Sequence, residues 1–167
     1  MSSKYFSKIY DSWKNIQKEK YEIILDIFIK NKIKFSEVLV LDLGCGPFYF
    51  EEFLEDKKIK TKNFILFDKD RKLIGKRNNF VLGDLNRLPF KKEVFDIVFC
   101  IDVLHFIDNP KDLKYLVKKG GFVLISQFLR VGEDINKSLK KFEGFKILEE
   151  FLFNCKEKEI IILLRSF

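Results

Sequence analysis

In 167 residues the chain has no alanine, one histidine, one tryptophan, one methionine, three prolines and three cysteines. With His105 as its single histidine, it has little scope for a histidine-built metal centre, and no metal site is expected. Cys45, Cys100 and Cys155 are widely spaced, odd in number and set among apolar or turn residues. That pattern argues against a disulfide framework or a zinc site and for free thiols. No apolar run approaches the roughly 20 residues of a membrane helix. The opening Met1-Ser2-Ser3-Lys4-Tyr5 lacks the apolar core of a secretion signal, so no membrane role and a cytoplasmic location are expected. Internal repeats and low-complexity linkers are also missing, and the length suits one domain, 1–167.

What is present is a hydrophobic content of 47% that includes 20 phenylalanines, a charged content of 34% and a net charge of +7. Lysine and arginine are spread along the whole chain with no dominant block. Two causes fit that excess: a lysine-rich, alanine-free composition of the kind that coding bias or a thermophilic source produces, or a polyanionic partner such as RNA.

The stretch Val38-Leu39-Val40-Leu41-Asp42-Leu43-Gly44-Cys45-Gly46-Pro47 organises the rest. Its apolar start reads as a strand buried on both faces, as a parallel sheet between helices requires. Gly44 and Gly46 let a ligand lie directly on the turn that follows, and Pro47 suits the first position of the next helix. A dinucleotide turn wants a third glycine and free amides, but Tyr49 stands at the third position and Pro47 has no amide. A ligand without phosphates fits better.

Around that turn, Tyr5 to Lys32 read as one or two amphipathic helices, and Phe48 to Leu54 as the helix after the first strand. Phe64 to Asp68 is a second buried strand ending in an acid, where a nucleotide fold places its ribose carboxylate. Asp70 is the expected N-cap of a short helix. Phe80 to Leu82 and Val94 to Ile101 are further strands, Asn109 to Lys119 is a helix closed by Gly120-Gly121, and Phe122 to Ser126 is the fifth strand. Phe145 to Phe153 and Glu159 to Leu164 read as two last strands.

The glycine turn, Asp68, the run Phe80-Val81-Leu82-Gly83-Asp84-Leu85-Asn86-Arg87-Leu88-Pro89-Phe90 and then Phe95-Asp96-Ile97-Val98, in this order, resemble class I S-adenosylmethionine-dependent methyltransferases. Within them the pattern is similar to the small "type 11" family related to the ubiquinone and menaquinone C-methylases. The resemblance spans about Val38 to Gln127. It implies a three-layer α/β/α Rossmann-like sandwich whose mostly parallel seven-stranded sheet ends in an antiparallel hairpin. The implied parts are N-terminal helices over 1–34, a cofactor-binding core over 38–127, and a short connector with the terminal hairpin over 128–167. It also implies S-adenosyl-L-methionine as cofactor. By the same resemblance Asp42, Gly44, Cys45 and Gly46 hold the methionyl part, and Asp68 with Lys69 takes the ribose. Asp84 binds the adenine amino group, Leu85 contacts the ring, Cys100 and Ile101 end the fourth strand beside the cofactor, and Tyr10 belongs to a lid segment with Trp13.

Transfer of a sulfonium methyl is an in-line displacement that asks chiefly for alignment, so no catalytic residue is strictly required. The candidate bases are Asp102 and His105, the latter being equally a packed or rim residue. Phe48 stands where the family has a small residue, and is expected either to crowd the methionyl carboxylate or to swing into the substrate mouth. A valine at Gly44 is expected to fill the cofactor's space. The segment from Phe128 to Glu143 is short for a substrate lid, and an open mouth suits a macromolecular acceptor or a partner that supplies a wall. Four functions compete: methylation of RNA or protein, methylation of a small molecule, a cofactor-binding subunit without activity, and a nucleotide-binding domain of another class. The expected state is a self-sufficient monomer or a homodimer, with a small activator protein on the third-strand edge as the alternative. For RNA, Lys91-Lys92, Lys118-Lys119 and Lys140-Lys141 must share a face with a mouth formed by Phe48, Asp102 and His105.

Overall fold

The computed structural model describes residues 3–129, 142, 144–154 and 158–167, with the side chains of 3–15 and 153–154 outside the description. Seven strands form one sheet: β1 (Val40–Leu43), β2 (Phe64–Asp68), β3 (Phe80–Leu82), β4 (Phe95–Ile101), β5 (Val117–Phe128), β6 (Phe145–Asn154) and β7 (Lys158–Ser166), in the order β3-β2-β1-β4-β5-β7-β6. The first five pair in parallel, and β7 runs antiparallel to both β5 and β6. This is the architecture expected from the sequence.

Parallel strands joined by crossovers must be covered on both faces, and the core divides accordingly. On one face α1 (Ser3–Lys30) lays Tyr21, Ile24, Ile27 and Phe28 on the sheet, and α2 (Tyr49–Asp56) adds Phe50, Phe53 and Leu54. Phe28 stacks on Phe99 at 5.4 Å and Phe50 meets the same ring edge-on at 4.8 Å, so the phenylalanine excess is spent largely on this layer. The other face is thinner. It is covered by Leu104 in a 3-10 turn, by α3 (Leu113–Leu116) and by loop residues such as Leu88 and Phe90.

Three expectations change. Pro47 lies in the turn, and α2 begins at Tyr49. Phe48 is the N-cap residue in left-handed geometry (φ 67°), which displaces the start of the helix. The helix expected over Asn109 to Lys119 is only a 3-10 turn (Pro110–Asp112) and one turn of α3, because Val117 already pairs with Phe95 as a buried strand residue. Gly120-Gly121 therefore sits inside β5, beside a register shift between Phe95 and Ile97, where a Cβ on Gly121 would come within 2.8 Å of the Asp96 carbonyl.

Gly83, just after β3, has no room for a side chain, since a Cβ there would lie 2.4 Å from the Phe67 ring. Phe67 is fully buried and in turn meets Phe90 at 5.4 Å. Gly83→Ala is therefore expected to cost about 1–3 kcal/mol through overpacking, read as a lower midpoint at unchanged slope in urea unfolding.

Candidate functional site

In open α/β sheets ligands bind outside the carboxyl ends of the strands, at the point where strand order reverses. Here that point lies between β1 and β4, and the turn Gly44–Phe48 leaves β1 beside it. The turn is tied to β2 by three hydrogen bonds, and a fourth braces the acid that makes one of them. The amides of Gly44 and Cys45 donate to the Phe67 carbonyl at 2.7 and 3.2 Å. The Gly46 amide donates to Asp68 Oδ2 at 2.9 Å, and the Asp70 amide donates to Asp68 Oδ1 at 2.9 Å. Asp68 thus shapes the turn while each oxygen keeps a second lone pair for a hydroxyl group.

The two glycines differ. Both have positive φ, but a Cβ on Gly44 would strike Val103 Cγ1 at 2.6 Å, whereas a Cβ on Gly46 would meet nothing within 4 Å. The space at Gly44 is taken by the segment after β4, so the expectation that a valine there would compete with a ligand is corrected to a clash with Val103. Gly46 borders the open side of the turn. Phe48 neither crowds the turn nor enters a mouth. It is 5% exposed, meets Phe80 edge-on at 6.0 Å and carries the Arg77 guanidinium 5.7 Å from its ring centroid.

Beneath the turn lies a carboxylate pair. Asp42 is 3% and Glu51 0% exposed, and neither Glu51 oxygen has a hydrogen-bond donor among the described residues. Burial, followed by the charge and hydrogen bond of Glu51, pushes the Asp42 carboxyl well above the usual range. Burial likewise raises Glu51. Each acid therefore resists ionisation, and the Arg77 charge relieves Glu51 only in part. Tyr21 packs beside them, its phenol raised by burial and then by Asp42.

A second charged cluster joins the ends of β4, β5 and β7 to α1. Lys20, fully buried, donates to Asp102 Oδ2 and lies 2.9 Å from Glu159 Oε1. The Glu159 contact is outside hydrogen-bond geometry, so both oxygens of this fully buried acid are without a donor among the described residues. Asp102 also accepts from Gln17 Nε2 at 2.9 Å and from Ser126 Oγ at 2.9 Å. Burial opposes ionisation of Asp102, but Lys20 and then Gln17 hold its carboxyl below the usual range. Burial and the Asp102 charge push Glu159 up to about 7, against relief from Lys20.

The remaining candidates fall around this centre. Asp84 is exposed and its Oδ1 accepts the Asn86 amide at 2.9 Å, Leu85 is half-buried, and Ile101 is half-buried at the end of β4. The thiols of Cys45 and Cys100 are buried and free, raised chiefly by burial, so a ligand contact from Cys100 would come from its backbone. Lys69 places its ammonium 5.3 Å from the exposed Phe106 ring, and His105 is exposed beside that ring, 3.9 Å between centroids. The side chains of Tyr10 and Trp13, together with Cys155 and Lys140-Lys141, lie outside the described residues. Lys91-Lys92 and Lys118-Lys119 stand at the amino ends of β4 and β5, opposite the mouth, which removes the expectation that they share its face.

Sequence reasoning missed Glu51, Lys20, Ser126, Glu159 and Asn86. Glu51 and Lys20 carried a signal, since each falls on the apolar stripe of its helix. Asn86, which donates to the Phe106 carbonyl at 3.0 Å and accepts the Asp108 amide at 2.8 Å, clamps the loop after β3 to the segment after β4 and left no local mark.

The sheet order, the glycine turn at its switch point and the strand-end acid Asp68 define a nucleoside-binding domain of the doubly wound kind. The family model described as a methyltransferase domain matches residues 41–125. The chain belongs to this family of class I S-adenosylmethionine-dependent methyltransferases. It is 28% identical over 151 residues to a malonyl-[acyl-carrier protein] O-methyltransferase of Legionella pneumophila, covering 83% of this chain and 52% of that one. It is 29% identical over 121 residues to a tRNA U34 carboxymethyltransferase of Nautilia profundicola, covering 64% and 39%. The chain thus spans about half the length of these curated relatives or less. Among solved structures it is similar to the putative methyltransferase in complex with the Trm112 methyltransferase activator of Haloferax volcanii, with TM-score 0.65, 15% identity and coverage of 94% of this chain and 95% of that one.

Glu159 gives the site a pH signature. A carboxyl raised to about 7 in the fold binds its proton more tightly folded than unfolded, so its contribution favours folding at acid pH and is lost as pH rises from about 4.5 to 7. Glu159→Gln removes that loss. The stability of the variant relative to wild type should climb across this window and level off above it, read by denaturant unfolding from pH 4.5 to 8. Lys20→Met leaves the buried Glu159 and the part-buried Asp102 without their cation and should cost about 3–5 kcal/mol in the same assay.

Proposed function

We propose that the protein is an S-adenosylmethionine-dependent methyltransferase whose acceptor is carried by RNA or by a protein. The observation that carries the cofactor reading is the buried acid pair Asp42 and Glu51, with no donor on Glu51 among the described residues, below a turn open at Gly46. S-adenosylmethionine bears an ammonium and a sulfonium group, and two buried acids fit a cation where a phosphate would be repelled. In this reading Asp42 and Glu51 face the methionyl ammonium group, the turn from Gly44 to Gly46 supports the chain, Asp68 takes the ribose hydroxyls, and Asp84 with the Leu85 amide frames the adenine. The bound cofactor supplies an already activated methyl group. What the protein adds is alignment. Asp102 is engaged by Lys20, Gln17 and Ser126, which leaves it a poor proton acceptor, while His105 is exposed at the rim.

Support for the acceptor class comes from relatives named for tRNA and for an acyl group on a carrier protein, both bound to macromolecules. The partner reading rests on β3, a sheet edge of three residues, and on the structural neighbour complexed with an activator. Protein purified alone that is monodisperse and fully active at low concentration would sink the need for a partner.

Asp68→Ala is expected to weaken S-adenosylmethionine binding at least tenfold, the equivalent of a charged hydrogen bond at about 1.5–3 kcal/mol. Gly46→Val, which adds bulk to the open side of a positive-φ position, should weaken it as much or more. Calorimetry on folded variants checks both, and unchanged affinity in the pair would remove the assignment.

A further inference from the structure

The amino ends of the strands form the face opposite the mouth, and they carry an excess of exposed cations. Lys34 precedes β1, Lys58, Lys60 and Lys62 precede β2, and Lys91 and Lys92 precede β4. The line continues with Lys119 near the start of β5 and where Lys146 of β6 pairs in register with Arg165 of β7. The acids mixed among them include Glu37, Glu55, Asp56, Glu93, Asp96 and Asp112, and two are already engaged, Glu55 by Arg77 and Asp96 by Lys118. Around the mouth the signs of the described residues are more nearly balanced: Lys69, Arg71, Lys72, Arg87 and Lys158 stand against Asp68, Asp70, Asp84 and Asp108.

Two features make this face more than a solvated charge excess. Lys34, Lys58, Lys60 and Lys62 line a concavity together with Phe35 and Asn63, and Lys58, Lys60 and Lys62 also border an adjoining one with Asn78 and Asn79. Further along, the Tyr115 ring is 44% exposed, with the ammonium groups of Lys92 and Lys114 at 4.9 and 5.1 Å from its centroid. Neighbouring strands lie about 4.8 Å apart, so the cations from β2 to β6 are strung along roughly 25 Å. A string of charges with an aromatic ring beside it matches a chain of repeating phosphates carrying bases.

We propose that this basic face is an RNA-binding surface, separate from the methyl-transfer mouth and about 20 Å from it by the length of the seven-residue β4. Its catalytic use rests on the RNA branch of the acceptor reading, while binding itself does not. An RNA whose target base enters the mouth must run past the side of the sheet to lay flanking phosphates on the lysines. That path needs roughly six nucleotides at about 3.4 Å each. The face therefore selects long acceptors and leaves the chemistry at the mouth untouched.

The test is fluorescence anisotropy of a labelled 25-nucleotide single-stranded RNA of mixed sequence across a salt series, with the full chain. Each phosphate contact steepens log K against log salt by about 0.7, so wild type is expected to show a slope of about −2 or steeper. Lys60→Glu, Lys62→Glu, Lys91→Glu and Lys92→Glu combined should weaken binding at least tenfold at low salt and flatten the slope. The Lys91→Glu, Lys92→Glu pair alone should lose part of both. Arg71→Glu with Lys72→Glu, at the mouth, should bind RNA within about twofold of wild type. Calorimetry with S-adenosylmethionine on each variant reports the cofactor reading separately: RNA binding without cofactor binding would leave this surface standing and remove the other claim. A flat wild-type slope, wild-type binding by the fourfold variant, equal loss in the mouth variant, or equal competition by phosphatidylglycerol vesicles would each overturn the proposal.

Discussion

Lys20 is the interaction on which the functional end of the molecule depends. A lysine ammonium with no solvent exposure is tolerated only when paired, and its pairing with Asp102 and Glu159 draws α1, β4 and β7 to one point. Ser126 adds β5 to the same knot by holding Asp102 through its hydroxyl. The position of α1 over the strand ends is thus set by charge as well as by its apolar stripe. A hydrophobic contact tolerates sliding along a greasy face, whereas a buried cation between two acids fixes the register of the helix against the sheet.

The same end holds more acid than it can neutralise. Burial and neighbouring acids push Asp42 and Glu159 towards their neutral forms, and burial does the same to Glu51 against the pull of Arg77. Such an environment discriminates by charge. It disfavours phosphates and suits a cationic ligand, while several exposed lysines stand before the strands at the opposite end of the sheet. The separation has a simple origin in the topology: parallel strands send all their carboxyl-end loops to one side, so residues that follow strands and residues that precede them form two distinct surfaces.

Most of the architecture was legible because buried parallel strands are short apolar runs with clear punctuation. Asp68 and the glycine turn were legible for the same reason, since both sit at strand ends where the apolar pattern stops. The misplacements are physical. Asn109 to Lys119 carries a helix-like pattern, but a four-residue α3 gives way to β5 because Val117 gains more by pairing with Phe95 in the core. The lysine pairs lie on different elements, so the sequence could not place them on one face, and strand direction decides which end of the sheet Lys91-Lys92 and Lys118-Lys119 occupy. Side chains that act across long separations, such as Asn86 with Phe106 or Lys20 with Asp102, leave no spacing to read.

Phe48 shows how one departure from a pattern is accommodated. A phenylalanine at φ 67° bears a strain that a glycine would avoid. The left-handed turn directs its ring away from the open side at Gly46 and against Phe80 at 6.0 Å, with Arg77 over its face. Arg77 is fixed in turn by Glu55 near the end of α2, so the ring is held from β3, from the loop before it and from the helix that it starts. Burial of a large aromatic side chain offsets the backbone strain, and the turn stays open although the small residue is gone. The space above Gly46 is therefore kept clear by packing at the edge of the sheet, which makes the short β3 a structural support of the turn.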